Sequence, residues 1–268
     1  MWRGLYTAAS GMITEAVRTD TLANNLANAS TSGFKRNETV VKEFEPLLMR
    51  RINDPNDKSE EVTSFRGFSV GPSHRRVGTL GLGSGVAEIA TDFSQGAMQS
   101  TGNPLDIAIS GNGYLAVQTP QGIRYTREGN LFRAASGELQ TVRGQAVVNQ
   151  QSRPIVIPAD ARSVQFGAQG EVYVNGGQQI GRLQFVEFND RNALVKQGNS
   201  LYMARAGANP QPATGEIVQG ALEASNTNTV SEMVELINNY RIYEAGSKAL
   251  LTQDSLLDKA VNDIGRTG

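Results

Sequence analysis

The C-terminal stretch of the chain, residues 229–264, carries an apolar residue at every seventh position and contains no proline. These residues are Leu236, Tyr243, Leu250, Leu257 and Ile264. The repeat predicts a long amphipathic helix with a narrow apolar seam, which is the geometry of one helix lying along another. At 1.5 Å per residue this helix would be about 50 Å long. We therefore expect part of the seam to face another element or another molecule.

A second seven-residue repeat lies near the N-terminus, at Leu5, Met12, Thr19 and Leu26. Alanines follow the first three of these positions by four residues, and small side chains let a bulkier helix approach closely. The two ends are therefore predicted to pair as a coiled-coil-like domain. Gly11 and Gly246 lie inside the predicted helices, where glycine is unfavourable, so each is expected to mark a close contact or simply to weaken its helix.

An unusual density of asparagine is found where the first helix is predicted to end, at Asn24, Asn25 and Asn28. Asparagine is a poor helix former because its side chain competes for backbone hydrogen bonds. Turn-forming residues follow, up to Gly33. Two interpretations stay open: the amides cap the helix end, or they bind a neighbouring subunit.

The middle of the chain consists of short β-favouring runs separated by turn-forming residues. The predicted strands are Leu105–Ile109, Tyr114–Gln118, Ile123–Arg127, Glu138–Val142, Val164–Phe166, Glu171–Asn175 and Leu183–Phe188. The intervening turns, at residues 111–113, 120–122, 136–137, 169–170 and 175–177, have the composition of hairpins. This pattern predicts an antiparallel sandwich, barrel-like or meandering sheet, and it argues against a parallel α/β enzyme core.

The predicted fold class is therefore α+β, with an all-β antiparallel domain inserted between the two long helices. Residues 1–35 and 222–268 are expected to form one discontinuous helical domain. Residues 36–85 are expected to be an extended or loop-like linker, within which the charged run Arg50–Ser64 reads as a surface loop. Residues 86–221 are expected to form the β domain.

Composition excludes several classes of function. The 25 basic and 26 acidic residues give a net charge of −1, so no global field attracts nucleic acid or an anionic membrane. The chain has no cysteine and a single histidine, His74, which leaves little from which to build a zinc site or a Ser-His active site. The N-terminus lacks the apolar core of a secretory signal, and no apolar run is long enough to span a membrane. No cofactor is expected.

Paired carboxylates were also considered as catalytic groups. The acidic residues of the β region are Asp92, Asp106, Glu128, Glu138 and Glu171, and their spacing selects no pair. The sequence therefore favours a protein that is not an enzyme. The alternatives are a carbohydrate-binding or hydrolytic module of the cell envelope, dimerised by its terminal helices, and a soluble coiled-coil adaptor.

Three ordered blocks of the sequence resemble the family of flagellar rod and hook proteins. The first block comprises residues 23–28 and 30–35, and the second comprises residues 93–96, 101–109, 111–114 and 125–129. The third comprises residues 220–228, 232–234 and 241–244. A single β domain fits in this length, which is similar to the proximal and distal rod subtypes.

The resemblance implies a structural subunit that assembles helically and transmits torque from motor to hook. Its terminal helices would form an inner tube and its β domain an outer layer. Its partners would be copies of itself, other rod and hook proteins and the flagellar export apparatus. It would reach the basal body in the envelope without a cleaved signal. The predicted subunit-interface residues are Leu5, Met12, Ala16, Leu22, Ala23, Asn24, Asn25, Leu26, Asn28, Leu236, Tyr243, Leu250, Leu257 and Ile264.

Overall fold

The computed structural model describes residues 2–44, 47–50, 76–190 and 193–264. A helix stands at each end, α1 (Trp2–Ala27) and α2 (Thr229–Lys259), and the described strands lie between them. The α+β class predicted from the sequence is confirmed. His74 and residues 51–64 of the predicted surface loop lie outside the described residues.

The strands, in chain order, are β1 (Asn37–Glu43), β2 (Leu47–Arg50), β3 (Arg76–Leu80), β4 (Ser84–Thr91), β5 (Met98–Ser100), β6 (Ile107–Ser110), β7 (Tyr114–Thr119), β8 (Gly122–Thr126), β9 (Leu131–Arg133), β10 (Leu139–Thr141), β11 (Ala146–Val147), β12 (Val164–Phe166), β13 (Glu171–Val174), β14 (Gln178–Arg182), β15 (Phe185–Glu187), β16 (Leu194–Gly198), β17 (Leu201–Ala204), β18 (Gln211–Pro212), β19 (Glu216–Gln219) and β20 (Ala221–Glu223). All the strand pairings with a described register are antiparallel.

The chain divides into two compact units. The first comprises Met1–Asp20, Thr39–Ile89 and Leu236–Gly268, and the second comprises Thr21–Glu38 and Ala90–Glu235. In the first unit β2 pairs with β3, and β1 pairs with β4 in a separate two-stranded sheet. Part of the predicted linker is therefore regular β structure.

Local chemistry accounts for the end of α1 and the start of α2. Residues 28–33 follow α1 as turns, and Gly33 has a φ of 66°, a conformation that favours glycine. Helix α2 is capped by Asn228, whose Oδ1 accepts hydrogen bonds from the backbone nitrogens of Val230 and Ser231. After Lys259 the chain continues as a π-helical turn, Ala260–Ile264.

The second unit is built around a nine-stranded sheet. Its main path runs β16-β17-β8-β7-β11-β10-β9, and β15 joins β7 to β18. Strand β7 is central, and side chains alternate between the two faces of a strand. Leu115 and Val117 of β7 lie in an aliphatic core, whereas Tyr114 and Ala116 lie in a second, aromatic core with Tyr202. Both faces of β7 are therefore buried.

Most of the predicted hairpins are confirmed. The turns at 120–122, 136–137, 169–170 and 175–177 connect β7 to β8, β9 to β10, β12 to β13 and β13 to β14, which pair in each case. The hairpin predicted at 111–113 is wrong, because β6 pairs with the distant strand β19 and not with β7. Gly111 and Gly113 have positive φ, which allows the chain to pass from the β6–β19 sheet into the nine-stranded sheet.

One outer strand is covered by a side chain. Strand β12 is an edge strand of the three-stranded sheet β12-β13-β14. The Gln219 amide nitrogen donates to the carbonyl oxygens of Val164 at 2.8 Å and Pro104 at 2.6 Å, and its Oε1 accepts from the Phe166 nitrogen at 3.3 Å. The side-chain amide of Gln219 thus satisfies the outer backbone groups of β12 as a neighbouring strand would.

Candidate subunit interface

The first unit brings the N-terminal part of α1 against the C-terminal part of α2. Asn239 Nδ2 donates to the Glu15 carbonyl oxygen at 2.7 Å and to Thr19 Oγ1 at 2.6 Å. About two turns further along α2, a Cβ added at Gly246 would lie 2.9 Å from Met12 Cγ, and about four turns further the side chain of Gln253 lies against Gly4. The contacts run in opposite order along the two helices, so these helices lie antiparallel to each other.

The two helical glycines differ. The close contact predicted at Gly246 is confirmed by its approach to Met12. The contact predicted at Gly11 is not found in the described part of the chain, where a Cβ added at Gly11 would meet no atom within 4 Å. The seven-residue pattern alone does not distinguish the two positions.

The structure places the predicted interface residues at different depths. Leu22 and Asn25 are buried within the chain. Partly buried positions are Leu5, Met12, Leu26, Asn28, Leu236, Leu250 and Leu257. Exposed positions are Ala16, Ala23, Asn24 and Tyr243. Ile264 is the last described residue, and its side chain lies outside the described part.

The asparagine cluster after α1 has roles within the chain. Asn25 is 1% exposed; its Nδ2 donates to the Asn37 carbonyl oxygen at 2.8 Å, and its Oδ1 accepts from the Asn37 nitrogen at 2.8 Å. Asn28 Nδ2 donates to the Asn24 carbonyl oxygen at 2.8 Å. The contact of Asn28 favours the capping interpretation for that residue. Asn25 instead joins the end of α1 to the backbone of β1. The side chain of Asn24 is exposed.

Helix α2 also carries an apolar stripe that the sequence analysis missed. Its residues are Val230, Met233, Val234, Ile237 and Tyr240, which are 47–71% exposed. We call this the outer stripe of α2. Spacings of three and four residues place these side chains on one face of the helix, opposite the face that carries Asn239 and Gly246. The three- and four-residue spacing of the stripe is present in the sequence, but the seven-residue repeat predicts only the opposite face.

The second unit contains a buried charge cluster centred on Glu223. Lys35 Nζ donates to Glu223 Oε1 at 2.6 Å, and Arg127 Nε donates to Glu223 Oε2 at 2.8 Å. The side chains of Lys35 and Glu223 are fully buried, and that of Arg127 is 5% exposed. Burial lowers the pKa of Lys35, and the neighbouring Glu223 carboxylate opposes that lowering. The cluster joins the segment after α1 to the end of β20.

Arg36 extends this cluster toward the start of α2. Its guanidinium lies 3.2 Å from Asp92 Oδ2 and 3.5 Å from Glu232 Oε1, and its backbone nitrogen donates to Asn226 Oδ1 at 2.8 Å. Asn226 Nδ2 donates in turn to the Asp92 carbonyl oxygen at 2.9 Å. Glu232, in the first turn of α2, thus contacts Arg36, while Asn228 caps the helix.

Lys196, in β16, contacts the segment that follows α1. Its Nζ donates to the Lys35 carbonyl oxygen at 2.6 Å and to Asn37 Oδ1 at 3.2 Å, and it lies 3.8 Å from the centre of the Phe34 ring. Burial lowers the pKa of Lys196 to about 8. The sequence contained no signal for this contact, because Lys196 lies about 160 residues from its partners.

Neither a metal site nor a membrane-spanning helix is found in the described part of the chain. Within the described ranges, no three His, Cys, Asp or Glu side chains are grouped so that they would hold a metal ion. Among the helices of the described chain, none is long and apolar enough to cross a membrane. The polar groups brought together here are those that join segments of the chain to one another.

Three family models match successive parts of the chain. The model for flagella basal body rod proteins matches residues 5–35, which contain most of α1 and the segment after it. The model for the D1 domain of the flagellar hook protein FlgE/F/G matches residues 108–174 in the β region. The model for the C-terminal part of the basal body rod FlgEFG proteins matches residues 218–263, which contain β20 and α2.

Curated relatives match over nearly the whole chain. The FlgG basal-body rod protein of Bacillus subtilis is 34% identical, over 98% of this chain and 99% of its own length. FlgG of Buchnera aphidicola is 33% identical, over 95% and 97%, and FlgF of Caulobacter vibrioides is 33% identical, over 99% of each chain. The family resemblance inferred from the sequence is confirmed. The chain belongs to the flagellar basal-body rod protein family.

Proposed function

We propose that this protein is a structural subunit of the bacterial flagellar basal-body rod. The observation that carries the proposal is the similarity to FlgG and FlgF rod proteins over nearly the whole chain, both helices included. In this role the protein transmits torque from motor to hook and has no catalytic task. Its partners are copies of itself and other rod and hook proteins.

The proposed assembly uses α1 and α2 as its inner layer and the β region as its outer layer. The two helices would pair in a coiled-coil-like manner, a geometry supported by the contacts of Asn239 and Gly246 with α1. The outer stripe of α2 would meet a neighbouring copy. This is supported by its exposure, because five large apolar side chains on one face are stabilised when a partner covers them.

The predicted interface residues are divided between two tasks in this proposal. The partly buried Leu236, Leu250 and Leu257 would hold α2 against α1. The exposed Ala23, Asn24 and Tyr243 would contact neighbouring copies together with the outer stripe. A repeated contact that does not close on itself generates an open helical array, as a rod requires.

The proposed function also requires export of the subunit from the cytoplasm. The subunit would be exported by the flagellar type III apparatus and would function in the periplasmic part of the basal body. Isolated helices are marginal in water, so α1 and α2 would gain much of their stability from packing during assembly.

The test replaces an outer-stripe residue and compares it with a polar position on the same helix. Ile237→Asp puts a charge into the proposed contact, whereas Asn238→Asp puts the same charge on an exposed neighbouring position outside the stripe. We expect Ile237→Asp to abolish swimming and rod assembly while the purified monomer keeps its circular dichroism spectrum. Asn238→Asp should swim normally. Normal swimming by the Ile237→Asp strain would contradict the proposed interface.

A second experiment tests the function independently of the interface. Basal bodies are isolated and labelled with immunogold, using an antibody raised against the β region. We expect label along the rod. Unlabelled rods, with the protein recovered elsewhere in the cell, would contradict the proposed function.

A further inference from the structure

The segment from Gly33 to Asn37 is held by backbone hydrogen bonds to the C-terminal part of the same unit. We call residues 33–37 the latch. The Gly33 nitrogen donates to the Glu223 carbonyl oxygen at 2.8 Å, and the Arg36 nitrogen donates to Asn226 Oδ1 at 2.8 Å. The partners of the latch thus come from residues that lie about 190 positions later in the chain and lead directly into α2.

The latch fits its position only with glycine at its first residue. Gly33 has a φ of 66°, and a Cβ added there would lie 2.5 Å from the carbonyl carbon of Arg127. Backbone atoms cannot give way as a flexible side chain can. Gly33 is therefore required for a direct contact between the latch and the chain just after β8.

The charge of Lys35 in the latch depends on the side chain of Glu223. Lys35 is 0% exposed, and its Nζ contacts Glu223 Oε1 and the Ser94 carbonyl oxygen, each at 2.6 Å. Glu223 also accepts from Arg127 and from the Gly96 nitrogen. Removal of one member of a buried ion pair leaves an uncompensated charge, which is strongly unfavourable. Lys35 is therefore not stably buried without the carboxylate of Glu223.

We propose that the latch makes the ordering of the two ends of the chain mutually dependent. When residues 223–232 are in place, Glu223, Asn226 and Glu232 seat the latch and fix the end of α1. When the latch is open, Glu223 loses Lys35, and Asn226 loses its bond to Arg36. The end of α1 and the start of α2 then lose order together, while the β core of the unit stays folded.

The latch is mostly polar, with one buried apolar side chain, Phe34. An open latch exposes Lys35 and Arg36, which water solvates well, so little apolar surface is exposed with them. The proposal concerns the conformation of the single chain and does not depend on the proposed function in the rod.

Hydrogen–deuterium exchange of the full-length protein tests the proposal with a matched pair of glycine variants. Gly33→Ala introduces the clash with Arg127, and Gly144→Ala is the control, because Gly144 has a φ of 79° but no atom within 4 Å of an added Cβ. We expect Gly33→Ala to accelerate exchange of the amides in both 33–37 and 224–232 by about 100-fold or more. Gly144→Ala should leave both segments unchanged, and strands β6 to β8 should stay protected in both variants.

A second variant decides the question if Gly33→Ala unfolds the whole unit. Lys35→Met removes the buried charge and leaves Glu223 paired with Arg127. Faster exchange in both segments, with β6 to β8 protected, would support the latch. Faster exchange in 33–37 alone, or unchanged exchange in both, would overturn it, because the two ends would then order independently.

Discussion

The buried side chain of Asn239 donates a 2.6 Å hydrogen bond to the hydroxyl of Thr19 on the facing helix. This polar pair fixes the register of the two helices, and loss of Asn239 leaves the Glu15 carbonyl oxygen and Thr19 Oγ1 without its amide donor. We expect Asn239→Ala to destabilise the first unit by about 1–2 kcal/mol. Urea unfolding followed by circular dichroism at 222 nm measures this change.

The matching variant Thr19→Val separates the hydrogen bond from the rest of the contact. A double-mutant cycle should give a coupling energy of about 0.5 kcal/mol or more between the two positions. Strictly additive effects would mean that the hydrogen bond does not stabilise the helix contact.

The two glycines inside the helices should respond to alanine in different ways. Gly11→Ala should stabilise the protein by about 0.5–1 kcal/mol, because alanine favours helix and nothing lies within 4 Å of the new Cβ. Gly246→Ala should gain nothing, because its Cβ would come within 2.9 Å of Met12 Cγ. Thermal unfolding of the two variants compares them directly. If Met12→Ala fails to restore the gain at Gly246→Ala, the close contact is not the cause.

Glu128 should make stability depend on pH. Burial raises the pKa of Glu128, and the exposed Arg143, 3.6 Å away, opposes this only in part. Among the described residues, the buried Oε2 has no hydrogen-bond partner. The folded state therefore binds more protons than the unfolded state as the pH rises from about 4.5, and stability falls through that window. Glu128→Gln should be more stable than the natural protein at pH 7.5 by about 1 kcal/mol or more, with no gain at pH 4.

Glu187 provides the control of opposite sign. Hydrogen bonds from Thr214 lower the pKa of Glu187, so its carboxylate stabilises the fold at neutral pH and loses this effect as the pH falls. Glu187→Gln should be less stable than the natural protein at pH 7.5. Urea unfolding at pH 4 and pH 7.5 measures the stability of both variants. The same change of stability with pH in Glu128→Gln and Glu187→Gln would contradict the opposite pKa shifts of the two carboxyl groups.

Lys196 should titrate well below an ordinary lysine. Burial lowers its pKa to about 8, compared with 10.5 for the free side chain. The unfolded state therefore binds more protons between these two values, and stability rises as the pH increases through that window. Relative to Lys196→Met, the natural protein should gain about 1–3 kcal/mol between pH 7 and pH 10.5.

An NMR titration of the Lys196 Cε resonance measures the pKa directly. A midpoint near 8 is expected. A midpoint near 10.5 would show that the Phe34 ring and the two oxygen acceptors compensate for burial.

The helices were predictable because their signal is periodic and local. The seven-residue repeats gave α1 and α2 nearly at their observed bounds, and the turn pairs gave most of the strands between Tyr114 and Val174. Very short strands such as β5 and β20 were missed. Their pairing joins Ser100 to Ala221 across the sequence, and three-residue strands have no alternation that reveals them.

The charge cluster of the second unit could not be predicted from sequence. Lys35 and Glu223 are 188 residues apart, and lone charged residues usually lie on the surface. Nothing local marks either as buried. The glycine at position 33 was recognised as a turn residue, but its approach to the Arg127 backbone appears only in three dimensions.

The side-chain amide of Gln219 affects whether strand β12 can pair with a strand of another molecule. A chain that assembles with its copies brings many β units together, and an open strand edge would then recruit the edge of a neighbour into a continuous sheet. Because Gln219 already bonds Val164 and Phe166, strand β12 offers no such template at these groups. In the proposed assembly, a neighbouring subunit would therefore recognise this edge through side chains, which encode partner identity, and not through the backbone, which every protein shares.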